Sequence, residues 1–412
     1  MNIFSLSNFI ATRWNASNAK KIIRIGSASI ALCFFVMAIS VCILDGFKTA
    51  LSNKVFGFGS HLQIMPYMLQ SEETGENSSI FKFDTSIISL IKQNKNVKHF
   101  EPFLLQNGLL QGSEELFGVV FKGLSQNYNS DFFRSNIVNG AMPVYNDSVF
   151  SSQILISEKI ANRLEIQVGE RVRACFISEG YDGSSGYGGS GELHPRSFTI
   201  SGIYRTGLEK FDEYYVFCDK KHLARINNLQ ADDIEGIEIT LYNPADRFEV
   251  SKQLNTELPY SLSCNTCDKL FPEIFDWLVL IDTNVWVMLI IVLIVSLISV
   301  VAILFINIAN RSAHALLLIS LGAGMSLIRA IFTRQTFFLL LKSMLYGNAL
   351  ALLFCTIQYF THFISLNSAV YFLDSVPVGF PLLLLIVLNA ASIIIAYILL
   401  TICAFVIKKT AF

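Results

Sequence analysis

Four stretches of the chain are apolar almost without interruption: Ile25–Leu44, Val285–Ile308, Phe337–Phe360 and Pro381–Ile407. A helix of about 20 such residues covers the roughly 30 Å of bilayer hydrocarbon, so each stretch predicts a transmembrane helix. In the third, Lys342 lies near enough to the start to snorkel to the interface, and Asn348 sits inside the span. Between the first two spans the period changes. "SHLQIMPY", "VKHFEPFLLQNGLLQG" and "LFGVVFKGL" alternate as strands do, and "TSIISLIKQ" has helical spacing. Further on, "QILIS", "VGERVRACF", "RSFTISGIY", "EYYVFCD" and "IEGIEITLY" are interleaved with the helix-like "EKIANRLE", "KKHLARINN" and "PADRFEVSKQLNTEL". Asn243 and Pro244 open the last of these as an N-cap and a first helical residue.

The predicted fold class is therefore an α+β integral membrane protein: four transmembrane helices with a large mixed α/β region of two subdomains inserted between helices 1 and 2. Because the chain enters that region from one span and leaves into the next, the outer pieces 58–112 and 233–268 are expected to pair as one subdomain. The middle, 113–232, is then an insert. A glycine- and serine-rich stretch, "YDGSSGYGGSGELHPRS", lies between two strand-like runs of that insert and predicts a hairpin loop over 177–197. It does not end in the Gly-Lys-Ser/Thr of a nucleotide-binding loop, and a strand rather than a helix follows it.

Composition agrees with the membrane assignment: of 412 residues, 52% are hydrophobic and 15% charged, with a mean hydropathy of +0.49. A net charge of −1 without a basic block leaves no surface for nucleic acid. Arg13, Lys20, Lys21 and Arg24, then Arg311, Arg329 and Arg334, then Lys408 and Lys409 flank the spans. By the positive-inside rule all three groups are cytoplasmic. Both termini (1–24, an amphipathic lead, and 408–412) and the segment 309–336 are thus expected inside, with 45–284 and 361–380 outside. The first span is expected to stay as an uncleaved anchor, since no small-x-small site follows it and Ile30-Ala31-Leu32-Cys33 lacks the small residue of a lipidation box.

Candidate chemistry is sparse. Cys33, Cys42, Cys355 and Cys403 fall in spans, where thiols pack as small apolar groups. Cys175, Cys218, Cys264 and Cys267 lie outside; Cys264 and Cys267 have oxidoreductase spacing without a thioredoxin-like context, and read as inert thiols or a structural bond. The six histidines are scattered, and neither a His-Glu-x-x-His nor a Gly-x-Ser-x-Gly occurs. No catalytic, cofactor-binding or metal residue is assigned.

The order of segments resembles the lipoprotein-releasing ABC transporter permeases, LolC and LolE, of the MacB and FtsX type. The lead "FIATRW", the run "DGFKTALSNKVFGFGSHLQI", "SEKIANRLEIQVGERV", "FTISGIYRTGLEKFDEYYVF", "SLGAGMSLIRAIFTRQ" and "VYFLDSVPVGFP" carry it over nearly the whole chain. The resemblance implies an inner-membrane permease of a Gram-negative bacterium, with a periplasmic region whose outer pieces are porter-like. It implies a second permease copy or paralogue, and a separate cytoplasmic ABC ATPase that binds ATP and Mg, so that this chain is no enzyme and holds no cofactor itself. Contact with the ATPase would fall on Arg311, His314, Leu317, Leu318, Gly322 and Ala323; this chain has Asn310, Ser312 and His314 where the family carries acidic residues. Gly322 and Gly324 independently predict a turn between a lateral helix and span three. Lipoprotein acyl chains, or membrane lipid, would enter by Asp45, Gly46, Phe47 and Trp286. The hairpin loop, with Tyr181, Tyr187, Leu193, His194 and Pro195, would dock a periplasmic lipoprotein carrier. An FtsX-like scaffold regulating cell-wall hydrolysis and a MacB-like export permease are the alternatives, and a membrane thiol enzyme resting on Cys264 and Cys267 is a third.

Overall fold

The computed structural model describes residues 20–67, 80–112, 115–126, 128, 131–145, 150–178, 192–230, 232–366, 373 and 375–405. The chain divides into two compact units, one of Met1–Ala50, Asp276–Leu366 and Asp374–Phe412, the other of Leu51–Phe275 and Asn367–Leu373.

Helix α1 spans Lys20–Gly59. After it come β1 (Leu62–Pro66), β2 (Phe81–Lys82), α2 (Thr85–Gln93), β3 (Val97–Gln111), β4 (Leu116–Leu124), α3 (Asp131–Ser135) and β5 (Ile137–Gly140). These are followed by β6 (Gln153–Ser157), α4 (Glu158–Leu164), β7 (Arg171–Ser178), β8 (Glu192–Tyr204), α5 (Glu209–Tyr214), β9 (Tyr215–Asp219) and α6 (Lys220–Ile226). Then β10 (Asp233–Ile234), β11 (Gly236–Leu241), α7 (Arg247–Glu257), β12 (Leu262–Thr266) and α8 (Cys267–Leu270) complete the α/β unit. Among the described residues ten strands form one sheet in the order β12-β1-β11-β3-β4-β9-β6-β8-β5, with β7 between β3 and β8, while β2 and β10 pair separately.

Two hydrophobic cores lie along this sheet. Leu62 and Ile64 of β1, Ile87 and Ile91 of α2, Ile237 and Ile239 of β11, and Val250 and Leu254 of α7 form one. Phe121 of β4, Ile154 and Ile156 of β6, Phe176 of β7, Phe198 and Ile200 of β8 and Leu223 of α6 belong to the other. Strand β3 serves both. Its residues Val97–Phe103 pair with β11, and Leu104–Gln111 pair with β4. The outer pieces and the middle of the region therefore share one strand.

Local signals explain several element ends. The Ser157 hydroxyl accepts from Ile160 N at 3.1 Å and caps α4. Asn243 accepts from Ala245 N at 3.2 Å, with Pro244 opening the single 3-10 turn that leads into α7, as the sequence predicts.

In the other unit α9 (Pro272–Asn310), the short α10 (Ser312–Ser320), α11 (Met325–Thr361) and α12 (Leu382–Phe405) accompany the first part of α1. Among the described residues four helices are long and apolar enough to cross a membrane: Arg24–Gly59, Pro272–Asn310, Met325–Thr361 and Leu382–Phe405. Ile30, Phe34 and Val41 of α1 pack with Val300 and Leu304 of α9, Phe332 of α11 and Leu400 of α12. Ile291, Ile298, Leu353, Leu383 and Ile398 are exposed, the disposition of side chains that meet lipid rather than water. Asn348, the polar residue inside span three, exchanges amide hydrogen bonds with Asn389 of α12, donating at 2.9 Å and accepting at 3.4 Å. In hydrocarbon such a pair satisfies groups that lipid cannot.

Candidate functional site

Helix α10 sits where the sequence places a lateral helix. Ala323 N donates to Leu318 O and Gly322 N to Ile319 O, both at 2.9 Å. Gly322 has φ +89° and Gly324 is the N-cap of α11, so the two glycines make the expected turn. The helix has two unlike faces. Ala315 is fully buried among the bundle side chains and Ile319 packs beside it. Leu316, Leu317 and Leu321 point away, at 46%, 60% and 75% exposure. Of the six residues assigned to an ATPase contact, Leu317 and Gly322 are exposed, Leu318 and Ala323 half-buried, and Arg311 buried at the helix start. The side chain of His314 lies outside the described residues. Leu316 and Leu321, which sequence reading passed over, extend the exposed face; their signal is a leucine run longer than one buried face of a two-turn helix can use.

Asp45, Gly46 and Phe47 stand inside α1, not at its end, because the helix continues to Gly59. Gly46 packs against the backbone of 377–379: a Cβ there would come within 2.6 Å of Pro377 O and 2.5 Å of Gly379 N. Gly379 N donates to Cys42 O at 2.9 Å. Phe47 is 8% exposed and meets Trp277 edge to face at 5.6 Å, and Lys48 pairs with Asp282 at 2.8 Å. Trp286 is 41% exposed. The segment "DGF" and the segment "VPVGFP" are thus partners in packing.

In the loop assigned to carrier docking, Tyr181 and Tyr187 lie outside the described residues. Leu193, His194 and Pro195 stand on strand β8, paired with Ile177, Phe176 and Cys175 of β7. This corrects the expected 177–197 loop, which gives up both its ends to the hairpin. Pro195 is tolerated there because β8 gains its neighbour β6 only from Thr199 onward.

The cysteine pair carries no disulfide. Cys264 and Cys267 are free and buried, and burial pushes the Cys264 thiol up to about 12 and that of Cys267 higher still. Both stay protonated near neutral pH and are poor nucleophiles.

A polar constellation that no motif announced lies beside the end of α1. A cavity of about 260 Å³ is lined by Asn53, Phe56, Gly57, Ser60, His61, His99, Glu101, Tyr128, Phe132, Glu238 and Thr240. Lys122 Nζ lies 2.6 Å from Glu238 Oε1, with both side chains under 5% exposed. Gln63 donates to the same oxygen at 3.1 Å, and Lys122 also donates to Phe58 O at 3.3 Å. Glu101 accepts from the Ser125 hydroxyl at 2.6 Å and lies 2.9 Å from His99 Nε2. His61 Nδ1 accepts from Leu241 N at 2.8 Å; burial, then the nearby charges of Arg247 and Lys98, pull its pKa down to about 4. It is neutral at physiological pH.

Four helices long and apolar enough to cross a membrane, joined in one chain to a large α/β region, give the described residues the make-up of a polytopic membrane protein. The chain belongs to the family of the MacB-like periplasmic core domain, whose family model matches residues 27–257. It is 24% identical over 244 residues to the lipoprotein-releasing system transmembrane protein LolC of Buchnera aphidicola, covering 58% of this chain and 56% of that one. It is 20% identical over 330 residues to the corresponding LolE of Haemophilus influenzae, covering 79% and 76%. The chain thus spans a little over half the length of its LolC relative. Among solved structures it is similar to the extracellular domain of the noncanonic ABC-type transporter YknZ from Gram-positive bacteria, with 14% identity, TM-score 0.33, and coverage of 50% of this chain and 100% of that one. It is also similar to the periplasmic region of MacB from Actinobacillus actinomycetemcomitans, with 10% identity, TM-score 0.36, and coverage of 55% and 97%. The family model and the two curated relatives place the chain with membrane proteins of the MacB, LolC and LolE type.

Proposed function

We propose that this chain is the permease subunit of an inner-membrane complex that releases lipoproteins to a periplasmic carrier, driven by a separate ATPase. The observation that carries the proposal is the family match over residues 27–257 together with the names of the two curated relatives. In this proposal ATP and Mg belong to the partner ATPase, which seats against the exposed leucine face of α10. A second permease, identical or paralogous, completes the membrane core, with N and C termini cytoplasmic. The two hydrophobic cores are the two periplasmic subdomains, and the β7–β8 hairpin presents the docking loop to the carrier. Lipoprotein acyl chains approach α1 near Asp45–Phe47 and α9 near Trp286.

Depletion of the protein followed by fractionation of membrane lipoproteins tests this. Lipoproteins should accumulate in the inner membrane; their normal sorting in depleted cells would sink the proposal. Chaining cells with normal sorting would point instead to a scaffold for cell-wall hydrolysis.

A further inference from the structure

The cavity beside Glu101 plays no part in lipoprotein release as proposed above, yet its chemistry is specific. Two carboxylates line it, Glu101 and Glu238, 7% and 2% exposed. Glu238 has an ammonium group of its own. Lys122 Nζ sits 2.6 Å from it and 5.4, 5.5 and 5.8 Å from the ring centroids of Phe58, Phe103 and Tyr128. The wall therefore already accommodates one ammonium, with a carboxylate for its charge and aromatic rings around the rest.

Glu101 has the same kind of surroundings, with the His99 imidazole at 2.9 Å where Glu238 has a lysine. Its fixed neighbours are the Ser125 hydroxyl and the His99 imidazole. Among the described residues no Lys or Arg lines the cavity, and His61 is held as an acceptor by Leu241 N. Phe56, Tyr128 and Phe132 line the same space as Glu101, as do the hydroxyl-bearing Ser60 and Thr240. A carboxylate in a confined, partly apolar space attracts a cation strongly because little water screens it.

We propose that this cavity binds a primary ammonium group carried on a short apolar chain. Glu101 is the counter-ion, Ser60 and Thr240 accept its N–H groups, and Phe56 and Phe132 enclose the methylenes. A quaternary ammonium has no N–H to give those hydroxyls. Anions meet two carboxylates, and no group of three or more metal-ligating side chains occurs among the described residues.

The full-length protein in detergent, at neutral pH and fixed ionic strength, is titrated with n-propylammonium, tetramethylammonium, n-propanol, propionate and calcium, with calorimetry and saturation-transfer NMR as readouts. n-Propylammonium should bind at least about tenfold more tightly than n-propanol or propionate, the difference expected of one charge pair. Glu101→Gln should weaken it by a similar factor. Asn53→Trp, at the exposed rim, should block entry while leaving Glu101 and its hydrogen bonds in place, so it decides the matter should Glu101→Gln melt early. Equal binding of n-propanol, displacement by calcium, or undiminished binding to Asn53→Trp would each overturn the proposal.

Discussion

Lys122 is a charge that the fold buries almost completely, and it is tolerable because Glu238 and the Phe58 carbonyl accept from it, while Gln63 donates to the same Glu238 oxygen. Taking one partner away leaves the other charged and dry, which is costlier than replacing both with neutral groups. Lys122→Met is therefore expected to destabilise the protein by about 3–5 kcal/mol, while Lys122→Met combined with Glu238→Gln recovers most of the loss. Denaturant unfolding of the two variants checks this; equal losses would show that the pair is not coupled. His61 sets a second condition. Its folded pKa of about 4 lies below the ordinary value of 6.5, so between those values the unfolded chain binds a proton that the folded chain refuses. Stability from this group is full above about pH 6.5 and falls as pH drops toward 4, by about 2 kcal/mol once residual solvent screening is allowed for. His61→Asn should flatten that part of the pH profile, measured by unfolding across pH 4 to 7; an unchanged slope would assign it to other groups. Neither residue was legible beforehand. Lys122 falls in an alternating strand where a lysine ordinarily faces solvent, and its partner lies on β11, a strand remote in sequence.

The quoted family segments turn out to be parts that hold elements together. In "FTISGIYRTGLEKFDEYYVF" the Asp212 carboxylate accepts from Thr206 N at 3.1 Å, Thr206 Oγ1 at 2.7 Å and Gly207 N at 2.9 Å, clasping the turn between β8 and α5. Burial raises its pKa while those three bonds pull the other way. Asp212→Ala would strand three donors in a buried place, an expected loss of about 2–4 kcal/mol in unfolding experiments, whereas Asp212→Asn should lose distinctly less. The glycines in "DGF" and "VPVGFP" serve close approach: a Cβ on Gly379 would lie 2.2 Å from Asp45 Oδ2 and 2.8 Å from Gly46 N. Both segments could be read as notable from sequence, but not as each other's partner, since several hundred residues separate them and neither pattern encodes the contact. The spans were legible because apolarity over about 20 residues has few other uses. Their helices were not, for α1 runs on from Leu44 to Gly59 by burying Leu51, Val55 and Phe58 at helical spacing. The start of strand β8 reads as loop because a glycine-rich run precedes it and Pro195 resembles a turn residue, while cross-strand pairing with β7 decides the matter.

For the molecule as a whole, the family assignment goes with four helices, among the described residues, that are long and apolar enough to cross a membrane. Helix α10 offers a test that separates folding from assembly within a few residues. Ala315 is fully buried in the bundle, so Ala315→Asp should prevent a folded membrane unit from accumulating. Leu317 and Leu321, at 60% and 75% exposure, contribute little to that core. Leu317→Asp with Leu321→Asp should leave expression and thermal unfolding in detergent close to those of the parent chain, since surface changes away from packed groups cost little. If the leucine face seats an ATPase, the same double variant should reduce its co-purification at least about tenfold, because a charge forced into an apolar contact must be desolvated without a partner. Intact co-purification with an intact fold would move the contact off this helix, and loss of both together would show that the two faces are not independent.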